Sequence, residues 1–221
     1  MVDILDEVEE DIRHERMLKA ARRYGGLLVL VAILILIAVA GQEIWQAHRD
    51  KVARTNAMAY LTLTRAVDAP GGTVTPAVAA ATAEKLTAFA EHASEAYKTL
   101  ARMRAAALYA NIDDTTQAAA LWTRVAADEA APVLIRDAAN LLWAQHELGT
   151  ASSTDILARL QQMTQQGNPY HGLARELQAM VYLHEGNISM AKSFFQQVKD
   201  DPTVANGTRS RAAAMLTELN G

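Results

Sequence analysis

Six histidines, at positions 14, 48, 92, 146, 171 and 184, are the side chains of this sequence best suited to metal binding or proton transfer. No two stand in an H-E-x-x-H arrangement, the spacing that sets two imidazoles and a carboxylate on one helical face. His92 and Glu95 fall at a spacing that shares a face, and His184 falls near a predicted helix end. Surface histidines at such places carry no chemistry by themselves. Ser152-Ser153-Thr154-Asp155 groups hydroxyls beside a carboxylate. It reads as a helix start, because Ser and Thr oxygens accept from the free N–H groups of a first turn. There is no G-x-S-x-G elbow, no phosphate-cradling glycine loop and no dinucleotide fingerprint. Cysteine is absent, which removes thiolate catalysis, Cys-ligated zinc, disulfides and lipidation on cysteine. The expectation is a protein that is not an enzyme, with no catalytic residues, no metal, no cofactor and no small-molecule substrate.

The elements that would position any site divide sharply. Gly25 to Gly41 is a run of 17 residues without a charge, with Tyr24 before it and Trp45 after it. Tyr24 to Trp45 spans roughly 31 Å as a helix, close to the ~30 Å of a bilayer core. The two aromatics would then lie at the two interfaces. Ala38-Val39-Ala40-Gly41 resembles a signal-peptide cleavage site. The 24 residues before the run, rich in acids (Asp3, Asp6, Glu7, Glu9, Glu10, Asp11), do not fit the short basic leader of a signal peptide. A retained transmembrane helix over 25–45 is expected. Arg13, Arg16, Lys19, Arg22 and Arg23 precede it, against Arg49, Lys51 and Arg54 after it. That bias predicts a cytoplasmic N-terminus and an exported body, in a single-pass protein of a bacterial inner membrane. The cytoplasmic head, 1–24, repeats Ile4, Leu5, Val8 and Ile12 at helical spacing and so reads as amphipathic.

The body, 46–221, holds 16 Lys and Arg against 17 Asp and Glu. Near-neutrality argues against nucleic acid as a partner, which needs a basic face. Alanine is abundant and strand formers are few, so an all-α fold is predicted. Ala69-Pro70-Gly71-Gly72 is a breaker, and Thr75-Pro76 caps a helix that should turn Val78, Leu86 and Phe89 inward. Ser94 opens the next, to about 110. Further helices are predicted over about 115–128, 133–148, 153–165, 171–185, 188–199 and 205–219.

The turns recur. Asp113, Gly149 and Gly186 lie 36 and 37 residues apart, and Pro132 and Pro169 lie 37 apart, with Pro202 following 33 later. A two-helix unit of that length is the period of a tetratricopeptide-type (TPR-like) solenoid, whose hairpins must stack to bury their apolar faces. The last unit, LARELQAMVYLHEGNISMAKSFFQQVKDDP, fits best: Ala179 and Ala191 are the small residues at the helix contact, Tyr182 follows Ala179, Gly186-Asn187 makes the turn, and Phe195 fills the gap to the next unit. Ala106, Tyr109, Asp113, Ala118 and Trp122 fall at equivalent steps of an earlier unit. The middle unit departs, with Ile156, Leu157 and Leu160 where a small residue is expected. Trp122 and Trp143 read as packing residues.

An acidic head, one span and an exported TPR-like body resemble, in layout, the YfgM-type ancillary subunit of the SecYEG translocon. The opening VDILDEVEEDIRHER…RRYGG is similar to alphaproteobacterial members of that family. The resemblance implies association with the SecYEG translocon and with a membrane-anchored periplasmic chaperone of the peptidyl-prolyl isomerase type. It implies a scaffold or chaperone-like role and no catalysis. A membrane-anchored TPR adaptor in cell division or envelope assembly is the alternative. First helices of stacked hairpins usually line the concave face, which makes Arg102, Tyr109, Arg175 and Tyr182 the candidate partner-binding residues.

Overall fold

The computed structural model describes residues 4–68, 74–165 and 167–221, with side chains from 30 onward except Ala32. The breaker at 69–72, the amphipathic head and the first part of the expected span therefore lie outside the described residues in whole or in their side chains. Among the described residues there are nine helices and no strand: α1 (Ile4–Asp68), α2 (Pro76–Ala90), α3 (Glu95–Ala110), α4 (Thr115–Ala126), α5 (Val133–His146), α6 (Ser153–Gln161), α7 (His171–His184), α8 (Ile188–Asp200) and α9 (Asn206–Asn220). The first body helix is thus continuous with the apolar run, within one 65-residue helix. No helix among the described residues is long and apolar enough to cross a membrane. The chain forms two units, 1–54 and 55–221.

In the first unit, Leu34, Ile35, Leu36, Ile37 and Ile44 all stand exposed. Trp45 is 59 % exposed, and the Arg49 guanidinium lies 4.6 Å from its ring centroid.

In the second unit, each helix from α2 to α8 packs on its successor, and α5·α7 and α7·α9 also touch. That pattern of next and next-but-one neighbours is what a stack of hairpins produces. The turns show why the period is legible. Asp113 (φ 62°), Gly149 (φ 87°) and Gly186 (φ 75°) all adopt left-handed backbone. Asp113 and Gly186 close matching helix ends. The Asp113 N–H donates to Ala110 O at 3.2 Å and the Asp114 N–H to Tyr109 O at 3.0 Å. The Gly186 N–H donates to Leu183 O at 3.0 Å and the Asn187 N–H to Tyr182 O at 2.8 Å. These are Schellman closures. The residue after each turn then caps the next helix: Asp114 accepts from the Gln117 N–H (3.1 Å) and Asn187 from the Met190 N–H (3.2 Å). One residue ends a helix and starts another, so the hairpin is tight.

The Gly149 turn is built differently, with the Thr150 and Ala151 N–H groups both donating to Glu147 O at 2.9 Å. A Cβ on Gly149 would lie 3.1 Å from the His184 imidazole, so this turn packs against the end of α7. Its second helix, α6, has nine residues and ends at Gln161, short of the expected 165. Ile156 and Leu160 are buried, so the hairpin forms with large residues at its contact.

Small residues sit where helices meet: Ala106, Ala118, Ala179 and Ala191 are wholly buried. Phe195 is wholly buried beside Val204, Ala212 and Leu216, as the repeat pattern requires. Trp122 and Trp143 are core residues. Thr75 and Ser152 cap as expected, through Val78 N–H (3.3 Å) and Asp155 N–H (3.2 Å). Val78 is a correction: it is exposed, and Ala79, Thr82, Ala83 and Leu86 form the inner face of α2 instead. Its spacing to Leu86 misled, because a helix whose alanines are the buried residues hides its core face among small side chains.

Candidate functional site

A concavity lies between the first helices of successive hairpins. It is a groove of about 740 Å³ with walls from α5, α7 and α9. Leu141, Leu142, Leu173, Leu177, Met180 and Met215 are among its apolar lining residues, with Phe195 contributing as well. Leu173 is 38 % exposed, and Val133 and Leu134, at the start of α5, are exposed as well.

Helical periodicity explains how α7 serves both core and groove. Leu173, Leu177 and Met180 recur at i, i+4 and i+7, which aligns them on one stripe. Ala174, Ala179 and Val181 fall on the other faces and are buried. One apolar stripe of α7 therefore faces the groove while its small residues are buried in the cores.

The charges in the lining are Glu176 and Arg211, and they neutralise each other. The Arg211 Nε donates to Glu176 Oε1 at 2.8 Å and its Nη2 to Oε2 at 2.6 Å, bridging α7 to α9. The Glu176 carboxylate holds the Arg211 guanidinium above its ordinary pKa, and partial burial opposes this. A bidentate pair of this kind fixes the spacing of two walls. The groove can hold an uncharged apolar segment without desolvating a lone charge.

Beside the groove lies a polar cluster at the start of α7. His171, buried with 7 % exposure, approaches Asn168 O through Nδ1 at 2.7 Å and Thr203 Oγ1 through Nε2 at 3.1 Å. Asp201 Oδ1 accepts from the Thr203 N–H and hydroxyl (2.9 and 2.5 Å), and Oδ2 accepts from Arg175 Nη1 (3.0 Å). The Asn168 amide donates to Asp137 Oδ2 on α5 at 2.7 Å. The Asp201 carboxyl is held below the usual carboxylate range, first by the Thr203 hydroxyl, then by the Thr203 N–H, His171 and Arg175, against its burial.

The four residues expected to bind partners are placed within the fold. Arg102, on α3, reaches Glu91 (3.7 Å) and Asp128 (3.5 Å), tying α2 to the end of α4. Tyr109 is half-buried against α2, its hydroxyl bonded to Thr87; burial and then Glu84 raise its pKa against that bond. Arg175 is engaged by Asp201 and by Thr164 O at 3.1 Å. Tyr182 stacks on Phe194, with centroids 5.3 Å apart. None of the four lines the groove, and α3 contributes nothing to it. Sequence reasoning missed the lining because leucine and methionine at helical spacing look like core; the available signal was that α7 carries an apolar stripe, Leu173, Leu177 and Met180, besides its buried small residues. The His171 cluster had no signal, since its members lie on three separate segments, as much as 66 residues apart. His92 and His184 are exposed, and among the described residues no group of three or more His, Asp or Glu is disposed to hold a metal.

A family described as tetratricopeptide repeat-like domain matches residues 21–219, which takes in the apolar run and nearly all of the body. No curated protein and no solved structure matches the chain.

Proposed function

Since this chain belongs to the tetratricopeptide repeat-like domain family, we propose that it is a membrane-anchored, non-catalytic scaffold that receives an apolar polypeptide segment in the α5–α7–α9 groove. The groove carries the reading. It is large enough for several side chains, apolar on three walls and electrically neutral, and no element among the described residues fills it. The two methionines suit an occupant of variable sequence, because thioether side chains adapt to irregular partners.

The anchor is the run Gly25–Gly41, with the N-terminus cytoplasmic and the body exported; its length, its flanking aromatics and the basic bias before it support this. Anchoring confines the groove to the membrane surface and raises its effective concentration toward partners held there. The partners proposed are the SecYEG translocon and a membrane-anchored isomerase-type chaperone, on the strength of the layout alone.

Affinity isolation of the crosslinked full chain in mild detergent tests the partners. Recovery of translocon subunits supports the proposal; recovery of cell-division or envelope-synthesis enzymes without the translocon refutes it. Leu173→Glu tests the groove, because Leu173 is partly exposed and its loss leaves the core intact. The variant should fold normally and lose partner capture. Unchanged capture would show that the groove is not the binding face. Protease added to spheroplasts should remove the body, and protection of the body would overturn the topology.

A further inference from the structure

The face of α1 that carries Trp45 has the same order as a lipid leaflet. Leu34, Ala38, Gly41, Trp45, Arg49 and Val52 follow one another at steps of three and four residues, which aligns them along one stripe of the helix. Leu34 to Trp45 is about 16 Å of helix, close to the ~15 Å that one leaflet contributes to a bilayer core. Apolar side chains come first, then an indole, then a base. His48 stands beside Arg49 on the same side, and all of these residues are exposed. The acids of this segment lie elsewhere. Glu43 and Asp50 are two positions before and five after Trp45, which turns both roughly 140–160° away from it. The stripe from Leu34 to Val52 therefore carries a base and no carboxylate. Such a face complements an anion, and the anions that lie at this depth of a membrane are the phosphates of lipid head groups.

The Arg49 guanidinium is already placed for that contact. Its backbone lies about 6 Å farther along the helix than that of Trp45, yet its Cζ is 4.6 Å from the indole centroid. The side chain therefore runs back towards the helix N-terminus, as long helical side chains do, and sets its cation over the ring. A cation over a ring does not use its N–H donors. They stay available to fork onto two oxygens of one phosphate, the geometry that suits a guanidinium and not an ammonium. Among the described residues no carboxylate pairs with Arg49.

We infer that Trp45 and Arg49 form a binding site for an anionic glycerophospholipid, with Arg49 forked on the phosphate, the indole at the base of the head group and the stripe from Leu34 to Gly41 beside an acyl chain. The site rests on the anchor reading above, since it needs Gly25–Gly41 in the bilayer. It gives the anchor a preference for the lipid next to it, in the leaflet from which the body emerges.

Native mass spectrometry of the full chain, released from nanodiscs of mixed phosphatidylcholine and phosphatidylglycerol, counts the lipids that stay bound. Phosphatidylglycerol should be enriched about fivefold over its share of the disc, the worth of one arginine at a charged surface. Arg49→Gln should bring the bound lipids to the composition of the disc. Trp45→Ala keeps the charge and removes its platform, and should lose most of the enrichment. Arg54→Gln removes the same charge from the opposite face, nine residues beyond Trp45, and should leave the enrichment intact. Excess inorganic phosphate should not displace the lipid, because a free ion brings no acyl chain to the stripe. The site is overturned by a parent protein without enrichment, by equal losses in Arg49→Gln and Arg54→Gln, or by displacement of the lipid with inorganic phosphate. All three substitutions are at exposed positions, and entry of each variant into the disc is read in the same spectra. A parent chain that enters the disc and shows no lipid preference leaves the anchor standing and removes the site. A parent chain that enters no disc and stays in the aqueous extract sinks the anchor reading, and the site with it.

Discussion

Gly172 is the position where the packing of this protein makes its sharpest demand. A Cβ there would meet Val204 Cγ1 at 2.6 Å, Cγ2 at 2.7 Å and Cβ at 3.2 Å. Ordinary carbon contacts lie at about 3.5–4.0 Å, so roughly 1 Å must be found. Rotating Val204 moves its methyls but not its Cβ, and the Cβ contact is itself short. The connection carrying Val204 must therefore shift away from α7. Overpacking of this kind costs about 1–3 kcal/mol. Alanine is the better helix former by up to ~1 kcal/mol, although position two of a helix realises only part of that. Gly172→Ala should thus destabilise by about 0.5–2 kcal/mol. Val204→Ala removes two nearly buried methyls, for about 1–2 kcal/mol. In the double variant the two closest clashing atoms are gone. The pair should then be less damaging than the sum of its parts by at least ~1 kcal/mol, well beyond the ~0.3–0.5 kcal/mol scatter of independent sites. Urea titration of the four proteins, followed by tryptophan fluorescence from the buried Trp122 and Trp143, reads this cycle. Additivity within that scatter, or a Gly172→Ala protein more stable than the parent, would refute the argument.

The repeated turns predict a second effect: Asp113→Gly should stabilise by ~0.5–1 kcal/mol because it relieves an aspartate in left-handed backbone, whereas Gly186→Ala should cost about 1–2 kcal/mol; a thermal melt that orders them otherwise contradicts the shared geometry. Phe195→Ala should cost about 3–5 kcal/mol, since a wholly buried ring bridging α7, α8 and α9 leaves a cavity, and urea titration measures it. For acid stability the sign follows from Asp201. Its folded pKa is depressed, so its contribution is present above the unfolded carboxylate value near ~3.9 and is lost as pH falls through the lower folded value. The stability of Asp201→Asn should therefore fall less steeply than the parent's below about pH 4, and parallel pH-stability curves would remove Asp201 from the acid transition.

The fold was legible where one residue type answers one local need. Left-handed turns need Gly or Asp, so Asp113, Gly149 and Gly186 announced the period. Close helix contacts need alanine, so Ala179 and Ala191 marked the last hairpin. Helix bounds came within a few residues at most ends; α6 is the exception, because its stop at Gln161 has neither Gly nor Pro beside it. The site was less legible for a physical reason. Groove leucines and core leucines obey the same 3.6-residue period, and what separates them is whether another helix happens to cover them. Arg102 and Arg175 were expected at the concave face because they stand on first helices, and nothing in their own segments announces Asp128 or Asp201 as partners. Ion pairs between segments depend on tertiary placement, which a single sequence does not display.

α7 is where these arguments converge. The two apolar cores of the body meet on it: Ala174 and Val181 belong to the larger, which extends back to the end of α1, and Ala179 to the smaller one shared with α8 and α9. The smaller core holds seven buried residues, three of them alanine, so the apolar area fastening α8 and α9 is modest. Such a unit opens more readily than the rest of a domain. Two polar devices fasten it to α7 in addition, the Glu176–Arg211 fork along the wall and the His171–Asp201 cluster at its base. Both cross from α7 to the segment bearing α9, and the second is tied on to Asp137 of α5 through the Asn168 amide. The α5 wall is fixed by the larger core, while the α9 wall is held by the smaller core together with these polar contacts. A groove whose two walls rest on separate cores can change width by movement of the smaller unit at little cost to the larger one, which is what the proposed occupant would require.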